Sequence, residues 1–163
     1  MKYLLILPFF LLIFTAKAQF AEPCTEIPPL NQEVLNVLEP YMGRKLDRGE
    51  CWDAAKLALN KVKADWDGLY AFGRVIDPKK ECIQPGDIVQ FEKAEFKIET
   101  ENGSYSETFG HHTAIVYKVN GPGDLQLLHQ NTGQNGKKMG VTSLNLKFKT
   151  KGKITIYRPV PKA

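Results

Sequence analysis

The sequence contains few of the residues that carry most protein chemistry. It has three cysteines, three histidines and two tryptophans in 163 residues. It shows no internal repeat, no low-complexity tract and no change of composition that would mark a second domain. Its net charge of +4 is small and evenly spread, which argues against a nucleic-acid partner.

A basic stretch near the C-terminus is the one local excess of charge. We interpret it as the solvated face of edge strands, where lysine discourages aggregation; a site for an anionic polymer is the alternative. The stretch comprises Lys137, Lys138, Lys147, Lys149, Lys151 and Lys153.

The sequence also lacks an apolar run long enough to cross a bilayer. Residues 3–14 are almost all apolar, but about a dozen residues fall short of the roughly 20 that a spanning helix needs. The run follows Lys2 and precedes Thr-Ala-Lys-Ala at 15–18, which is typical of a signal-peptidase site. We therefore expect residues 1–18 to be a signal peptide, cleaved before Gln19, of a secreted or periplasmic protein. No stable membrane insertion is expected after cleavage; a membrane anchor is the alternative.

The odd number of cysteines is informative, because export favours pairing and leaves one thiol over. Cys24 lies in a proline-rich segment and Cys82 in a predicted turn, where a bridge is easily placed. Cys51 opens a predicted helix. We predict a Cys24–Cys82 disulfide and a free Cys51; the alternative is that all three are reduced.

The order of predicted elements indicates an α+β fold. Residues 19–30 contain three prolines and predict an extended arm. Asn31 is a candidate cap for a helix that Gly43 ends, and a second helix is predicted from Cys51 to about Ala64. From residue 88 onward the pattern is β, with predicted strands at 88–91, 95–99, 113–119, 125–129 and 154–157, a hairpin tip at Asn102-Gly103 and a loop at 131–140. N-terminal helices packed on an antiparallel sheet would form one domain over residues 31–163.

Cys51 occupies a position that suits a nucleophile. The unpaired N–H groups and the positive dipole end of a helix start lower a thiol pKa, and the same groups can hold an oxyanion. Gly49 would let substrate approach the backbone, while the acids Glu50 and Asp53 would raise the thiol pKa. An ordinary buried cysteine is the alternative.

All three histidines lie on two neighbouring predicted strands. His112 begins one strand, His129 ends the next, and Asn131 follows at the rim. If the strands form a hairpin, these groups meet at one end. A zinc site is the alternative, but adjacent His111 and His112 should point to opposite faces of a strand.

Four motifs in order resemble the NlpC/P60 and CHAP group of papain-like amidases. They are a cysteine at a helix start, Pro-Gly-Asp-Ile-Val-Gln-Phe at 85–91, His-Thr-Ala-Ile-Val at 112–116 and His-Gln-Asn at 129–131. Tyr41 and Gly43 are similar to the Tyr/Gly stretch that precedes the NlpC/P60 cysteine. Two positions depart from the pattern: Glu-Cys-Trp-Asp replaces Asp-Cys-Ser-Gly, and CHAP usually has an acid where His129 stands.

The resemblance implies a papain-like cysteine amidase or peptidase, with Cys51 as nucleophile and His112 as base. His129 or Asn131 would orient His112. We expect Tyr41, Trp52 and His111 to contact substrate, which for an exported enzyme of this type would be a peptide of peptidoglycan. No cofactor or metal and a monomeric state are expected. A non-catalytic ligand-binding domain of the same fold and a metal-binding exported protein are the alternatives.

Overall fold

The structure is a computed structural model that describes residues 19–101 and 103–162. The predicted signal peptide and Asn102 of the predicted hairpin tip lie outside these residues. No helix in the described ranges has the length and hydropathy of a membrane span. The helices are α1 (Pro29–Leu38) and α2 (Cys51–Lys61), with 3-10 turns at Glu39–Tyr41 and Leu146–Phe148. The strands are β1 (Arg74–Ile76), β2 (Ile88–Thr100), β3 (Gly103–Gly121), β4 (Asp124–His129), β5 (Gly140–Asn145) and β6 (Lys149–Arg158).

These strands form one antiparallel sheet in the order β1-β6-β2-β3-β4-β5. The fold is therefore α+β, with two helices on an antiparallel sheet, as the element order predicts. The long β2–β3 hairpin runs through its centre. Side chains alternate between two cores along each strand.

The helix-side core joins α1 and α2 to one face of the sheet. It contains Val34 and Leu38 of α1, the alanines of α2, and Ile88, Ile115 and Leu128 of the strands. The small residues of α2 let the helix approach the sheet closely. The opposite core holds Phe91, Phe96 and Phe109 on the other face. The site lies where the start of α2 meets the central strand β3.

The first helix begins three residues earlier than the predicted cap at Asn31 implies. Pro29 occupies its first turn, where the missing N–H and fixed φ of proline are tolerated. Asn31 is therefore inside α1 and is not its cap. Its side chain instead donates to Asp87 Oδ1 at 2.8 Å and to the Pro85 carbonyl at 2.9 Å. The extended arm consequently ends at Pro28.

Several other boundaries differ from the prediction. The first helix ends at Leu38 and the second at Lys61, before Gly43 and Ala64. The predicted strands at 88–91 and 95–99 are one strand, β2, because the backbone passes Lys93 with a φ of 48° and continues. The prediction missed β1, which has only three residues, and β5, whose mixed polarity resembles a loop.

Cys24 and Cys82 form a disulfide with their Cα atoms 5.6 Å apart, and Cys51 is free. The predicted pairing is confirmed. The bridge ties the N-terminal arm to the turn before β2.

The Pro-Gly-Asp motif anchors α1 to the sheet. Asp87 is fully buried and accepts bonds from Asn31 Nδ2 at 2.8 Å and Arg158 Nε at 3.0 Å. Gly86 has a φ of +84°, and a Cβ there would collide with the Asn31 carbonyl. The motif is thus explained by the contacts of Asp87 with α1 and β6.

Candidate functional site

Cys51 is the first residue of α2 and is half-buried. Gly49 precedes it with a φ of +82°, a conformation that favours glycine. The Asp53 carboxylate accepts the Glu50 N–H at 2.9 Å and closes the helix start. The space beside Gly49 is occupied by Lys137, whose Cβ would lie 2.8 Å from an added methyl group. The predicted substrate approach over Gly49 is therefore wrong, because Lys137 covers this glycine.

The thiol of Cys51 lies against β3. Burial raises its pKa most, the backbone N–H groups of Thr113, Trp52 and Cys51 lower it, and the Glu50 carboxylate also raises it. Thr113 directly follows His112, so the thiol touches the strand one residue from the predicted base. The Cys51 and Trp52 N–H groups belong to the first turn of α2, where a helix leaves such groups without intrahelical partners.

The two acids beside Cys51 are both engaged. Asp53 is buried and pairs with Arg48 at 3.0 Å. Glu50 accepts from Asn131 Nδ2 at 2.9 Å and from Lys137 Nζ at 3.2 Å. Each carboxylate therefore has a cationic partner of its own. Of the two acids predicted to raise the thiol pKa, Glu50 contributes and Asp53 is neutralised by its arginine.

His112 and His129 form a buried pair. Their Nε2 and Nδ1 atoms are 2.9 Å apart, and His129 Nε2 lies 2.7 Å from Thr142 Oγ1. His129 is fully buried and His112 is 7% exposed. The predicted hairpin of β3 and β4 creates this contact, since it places Ile115 opposite Leu128 and both histidines at the same end. We call His112, His129 and Thr142 the relay.

Burial lowers the pKa of His112 to about 4 and, together with His112, that of His129 to about 3. Both rings are therefore neutral at neutral pH. If His129 Nε2–H donates to Thr142 Oγ1, its Nδ1 accepts the His112 Nε2–H. That arrangement leaves His112 Nδ1 with a free lone pair, which a general base requires.

The structure does not join Cys51 to His112 directly. In the described ranges no hydrogen bond links the thiol to either ring nitrogen of His112. The His112 ring packs on Phe91 and Phe109 of the opposite core, with centroids 6.3 and 5.2 Å away. The His112 ring therefore lies on the face of the sheet opposite to α2, whereas Cys51 lies at the start of α2.

His111 projects to the other face of β3, as predicted from strand alternation. Its ring lies 4.4 Å from Tyr70, edge to face, and its Nε2 is 3.3 Å from the Gln90 amide. Tyr70 in turn lies 6.5 Å from Trp52, whose indole donates to the Leu69 carbonyl at 2.6 Å. His111 and Trp52 thus border one exposed aromatic surface on the face of the sheet where α2 packs, so His111 shares the face of Cys51 and His112 does not.

Tyr41 and Asn131 have different surroundings near the start of α2. Tyr41 borders a separate groove of about 390 Å³ with Asp53 and Leu57. Asn131, with a φ of 61°, bonds to Glu50, so the structure pairs His129 rather than Asn131 with His112. The structure does not bring Tyr41 together with the histidines.

A polar cleft of about 490 Å³ opens beside His112. It is lined by residues 106–112 of β3, loop residues 131–134 and Thr142, and we call it the site cleft. It offers room for part of a peptide next to the predicted base.

Sequence reasoning missed two residues of this region. Thr142 ends the relay, but it sits in a strand whose polarity gave no signal. Gln130 is fully buried and bonds to the Leu46 N–H and carbonyl and to the Glu50 carbonyl, at 2.9 to 3.1 Å. It fastens the loop before Cys51 to the end of β4. Its position in His-Gln-Asn, alternating with His129, is the signal that it faces the helix.

In the part of the chain that the structure describes, no group of three or more potential ligand side chains is arranged to hold a metal ion. His111 and His112 diverge to opposite faces of β3, which separates two of the ligands that a zinc site would use.

A cysteine at a helix start, packed on a central strand of an antiparallel sheet that carries a histidine pair, defines a papain-like domain. The AIM3/BBC1 cysteine proteinase-fold domain model matches residues 30–163, and the chain belongs to this family. That description names a fold and neither NlpC/P60 nor CHAP. No curated protein and no solved structure matches the chain.

Proposed function

We propose that the protein is a secreted cysteine amidase or peptidase of NlpC/P60-CHAP type, acting on peptides of peptidoglycan. Cys51 is the nucleophile, His112 the base and His129 the group that orients it. The observation that carries the proposal is that α2, which begins with Cys51, packs on β3, and that β3 also carries His112, whose Nε2 is held by His129.

The proposed reaction begins with proton transfer from the Cys51 thiol to His112 Nδ1. This step requires the two side chains, which pack on opposite faces of the sheet, to meet at the end of β3. The sulfur attacks the amide carbonyl, and the N–H groups at the start of α2 hold the oxyanion. The C–N bond then breaks as His112 returns the proton to the leaving amine. Water, deprotonated by His112, hydrolyses the thioester and regenerates the thiol.

The directions of the pKa shifts define how the pair is activated. Burial raises the pKa of the Cys51 thiol and lowers that of His112, so the resting pair is neutral. The base therefore removes the proton as the sulfur attacks, in general-base fashion, rather than from a standing thiolate–imidazolium pair.

The substrate assignment is the finer part of the proposal. It is supported by the four ordered motifs, by the cysteine proteinase-fold family and by the expected export of the chain. The disulfide is compatible with an oxidising compartment.

A peptidoglycan digest tests the proposal. Purified sacculi are incubated with the wild-type protein and with the Cys51→Ala variant, and released fragments are identified by mass spectrometry. We expect new peptide termini from wild type and none from Cys51→Ala. Equal release by both proteins, or no release by wild type, would contradict the proposed activity.

The raised thiol pKa and the absence of a Cys51–His112 hydrogen bond in the described ranges favour one second candidate, a non-catalytic domain that binds a peptide in the site cleft. It predicts binding of wall peptides that Cys51→Ala retains, without hydrolysis by either protein.

A further inference from the structure

The site cleft carries a charge opposite to that of the whole chain. The protein has a net charge of +4, yet no lysine or arginine is among the described residues that line the cleft. Its one carboxylate is Glu107, and His112 is neutral because burial lowers its pKa to about 4. The cleft is therefore an anionic pocket on a cationic protein.

Glu107 differs from its neighbours in having no partner. Three carboxylates of β2 each pair with a lysine: Glu92 with Lys153, Glu95 with Lys151 and Glu99 with Lys97. Glu107 of β3 lies across from Phe96 of β2. Its side chain makes no salt bridge or hydrogen bond to any residue that the structure describes. Glu107 thus lines the cleft without a cationic partner among the residues that the structure describes.

The surroundings of Glu107 make a free carboxylate unfavourable. The residue is half-buried, and this burial raises the pKa of its carboxyl. A cation that entered the cleft would replace the lost hydration and favour the ionised form. A charge-assisted hydrogen bond in such a site is stronger than one in open water.

We propose that the site cleft binds the leaving half of the substrate through a primary ammonium group that pairs with Glu107. The assignment to the leaving half rests on the proposed function, because His112 borders the cleft and hands its proton to the departing amine. The substrate class is then an amide whose amine-side product carries a second, free amino group. Glu107 acts as a specificity residue and takes no part in bond breaking.

Binding tests the inference without turnover. The Cys51→Ala chain is titrated with the dipeptide alanyl-lysine and with its Nε-acetylated form, and backbone amide shifts of Gly110, Gln134 and Thr142 are followed by NMR. We expect the free amine to bind at least about tenfold more tightly than the acetylated peptide. In the double variant Cys51→Ala, Glu107→Gln this preference should disappear.

The matched control is Glu95→Gln, which removes the same charge from an exposed pair outside the cleft. It should leave the preference unchanged. Equal binding of the two peptides, or a preference that survives Glu107→Gln, would overturn the inference.

The outcome separates this inference from the proposed activity. Amine-selective binding with no peptidoglycan hydrolysis would contradict the proposed enzymatic activity and support the ammonium site. Hydrolysis of amine-bearing and acetylated wall peptides at equal rates would support the proposed enzymatic activity and contradict the ammonium site.

Discussion

At the scale of single residues, the relay decides whether His112 works as a base. A neutral imidazole has two tautomers, and only the form protonated on Nε2 leaves Nδ1 free to take the thiol proton. His129 is held by Thr142 Oγ1 at 2.7 Å, and this contact selects the tautomer when the hydroxyl accepts. Thr142 is therefore a positioning residue that acts through two rings.

Replacing Thr142 with valine should remove this selection while keeping the shape of the side chain. We expect alkylation of Cys51 by iodoacetamide at pH 7 to slow by roughly threefold to tenfold, since one neutral hydrogen bond contributes about 1 kcal/mol. Thr142→Ser, which keeps the hydroxyl, should restore most of the rate.

A second readout separates positioning from simple damage to the fold. ¹⁵N shifts of the imidazole nitrogens report the tautomer directly, and they should show mixed tautomers of His112 in Thr142→Val alone. Unchanged shifts in this variant would contradict the role given to Thr142.

At the scale of elements, the start of α2 is held in place by contacts from two separate segments, and α1 is held by a third. Gln130 fastens the loop at Leu46 to the end of β4, and Lys137 reaches back to Glu50. The Pro-Gly-Asp turn joins α1 to β6 through Asp87 and Arg158. The position of the thiol thus depends on loops that are distant in sequence.

Asp87→Ala should strongly destabilise the protein. It leaves the Arg158 guanidinium, whose side chain is only 14% exposed, without its closest carboxylate. Breaking a buried pair in this way costs on the order of 3–5 kcal/mol. Urea unfolding followed by far-UV circular dichroism measures the loss.

Glu99→Ala is the control, because it breaks the exposed pair with Lys97, which contributes less than about 1 kcal/mol. Similar losses in Asp87→Ala and Glu99→Ala would refute the structural role of the motif.

The elements show which features the sequence predicts well. Apolar alternation identified β3 and β4 and therefore the end at which His112 and His129 meet, because period-2 patterning determines which residues share a face. It missed β5, where Thr142 lies, since edge strands of mixed polarity resemble loops. The sequence predicts the cap of α1 at Asn31, because asparagine is a common cap residue. In the folded protein its side chain bonds to Asp87 instead. Long-range contacts of this kind have no local signal.

At the scale of the whole molecule, the buried histidines link stability to pH. Both have folded pKa values, about 4 and about 3, below the ordinary 6.5. Below pH 6.5 the unfolded chain takes up protons that the folded chain does not, so the free energy of unfolding falls. The stabilisation is complete above pH 6.5 and is lost as pH decreases to about 4 for His112 and about 3 for His129.

We expect the free energy of unfolding to fall by on the order of a few kcal/mol between pH 7 and pH 4, at about 1.4 kcal/mol per unit of pKa shift. Urea titrations across this range measure it. His129→Gln should flatten the profile, whereas His111→Asn, at an exposed position, should not. A wild-type profile as flat as that of His129→Gln would show that these histidines are not buried as described.

The central claim is that Cys51 reacts with the help of His112. His111 and His112 are adjacent and face opposite sides of one strand, so the same substitution at His111 is a matched control for His112. Cys51 is the free thiol, because Cys24 and Cys82 form the disulfide. The direct measurement is the rate of Cys51 alkylation by iodoacetamide at pH 7, followed by mass spectrometry, in wild type, His112→Gln and His111→Gln. We predict preferential labelling of Cys51 in wild type, a rate lower by about tenfold or more in His112→Gln and an unchanged rate in His111→Gln. No labelling of Cys51 in wild type, or a larger loss in His111→Gln than in His112→Gln, would contradict the account.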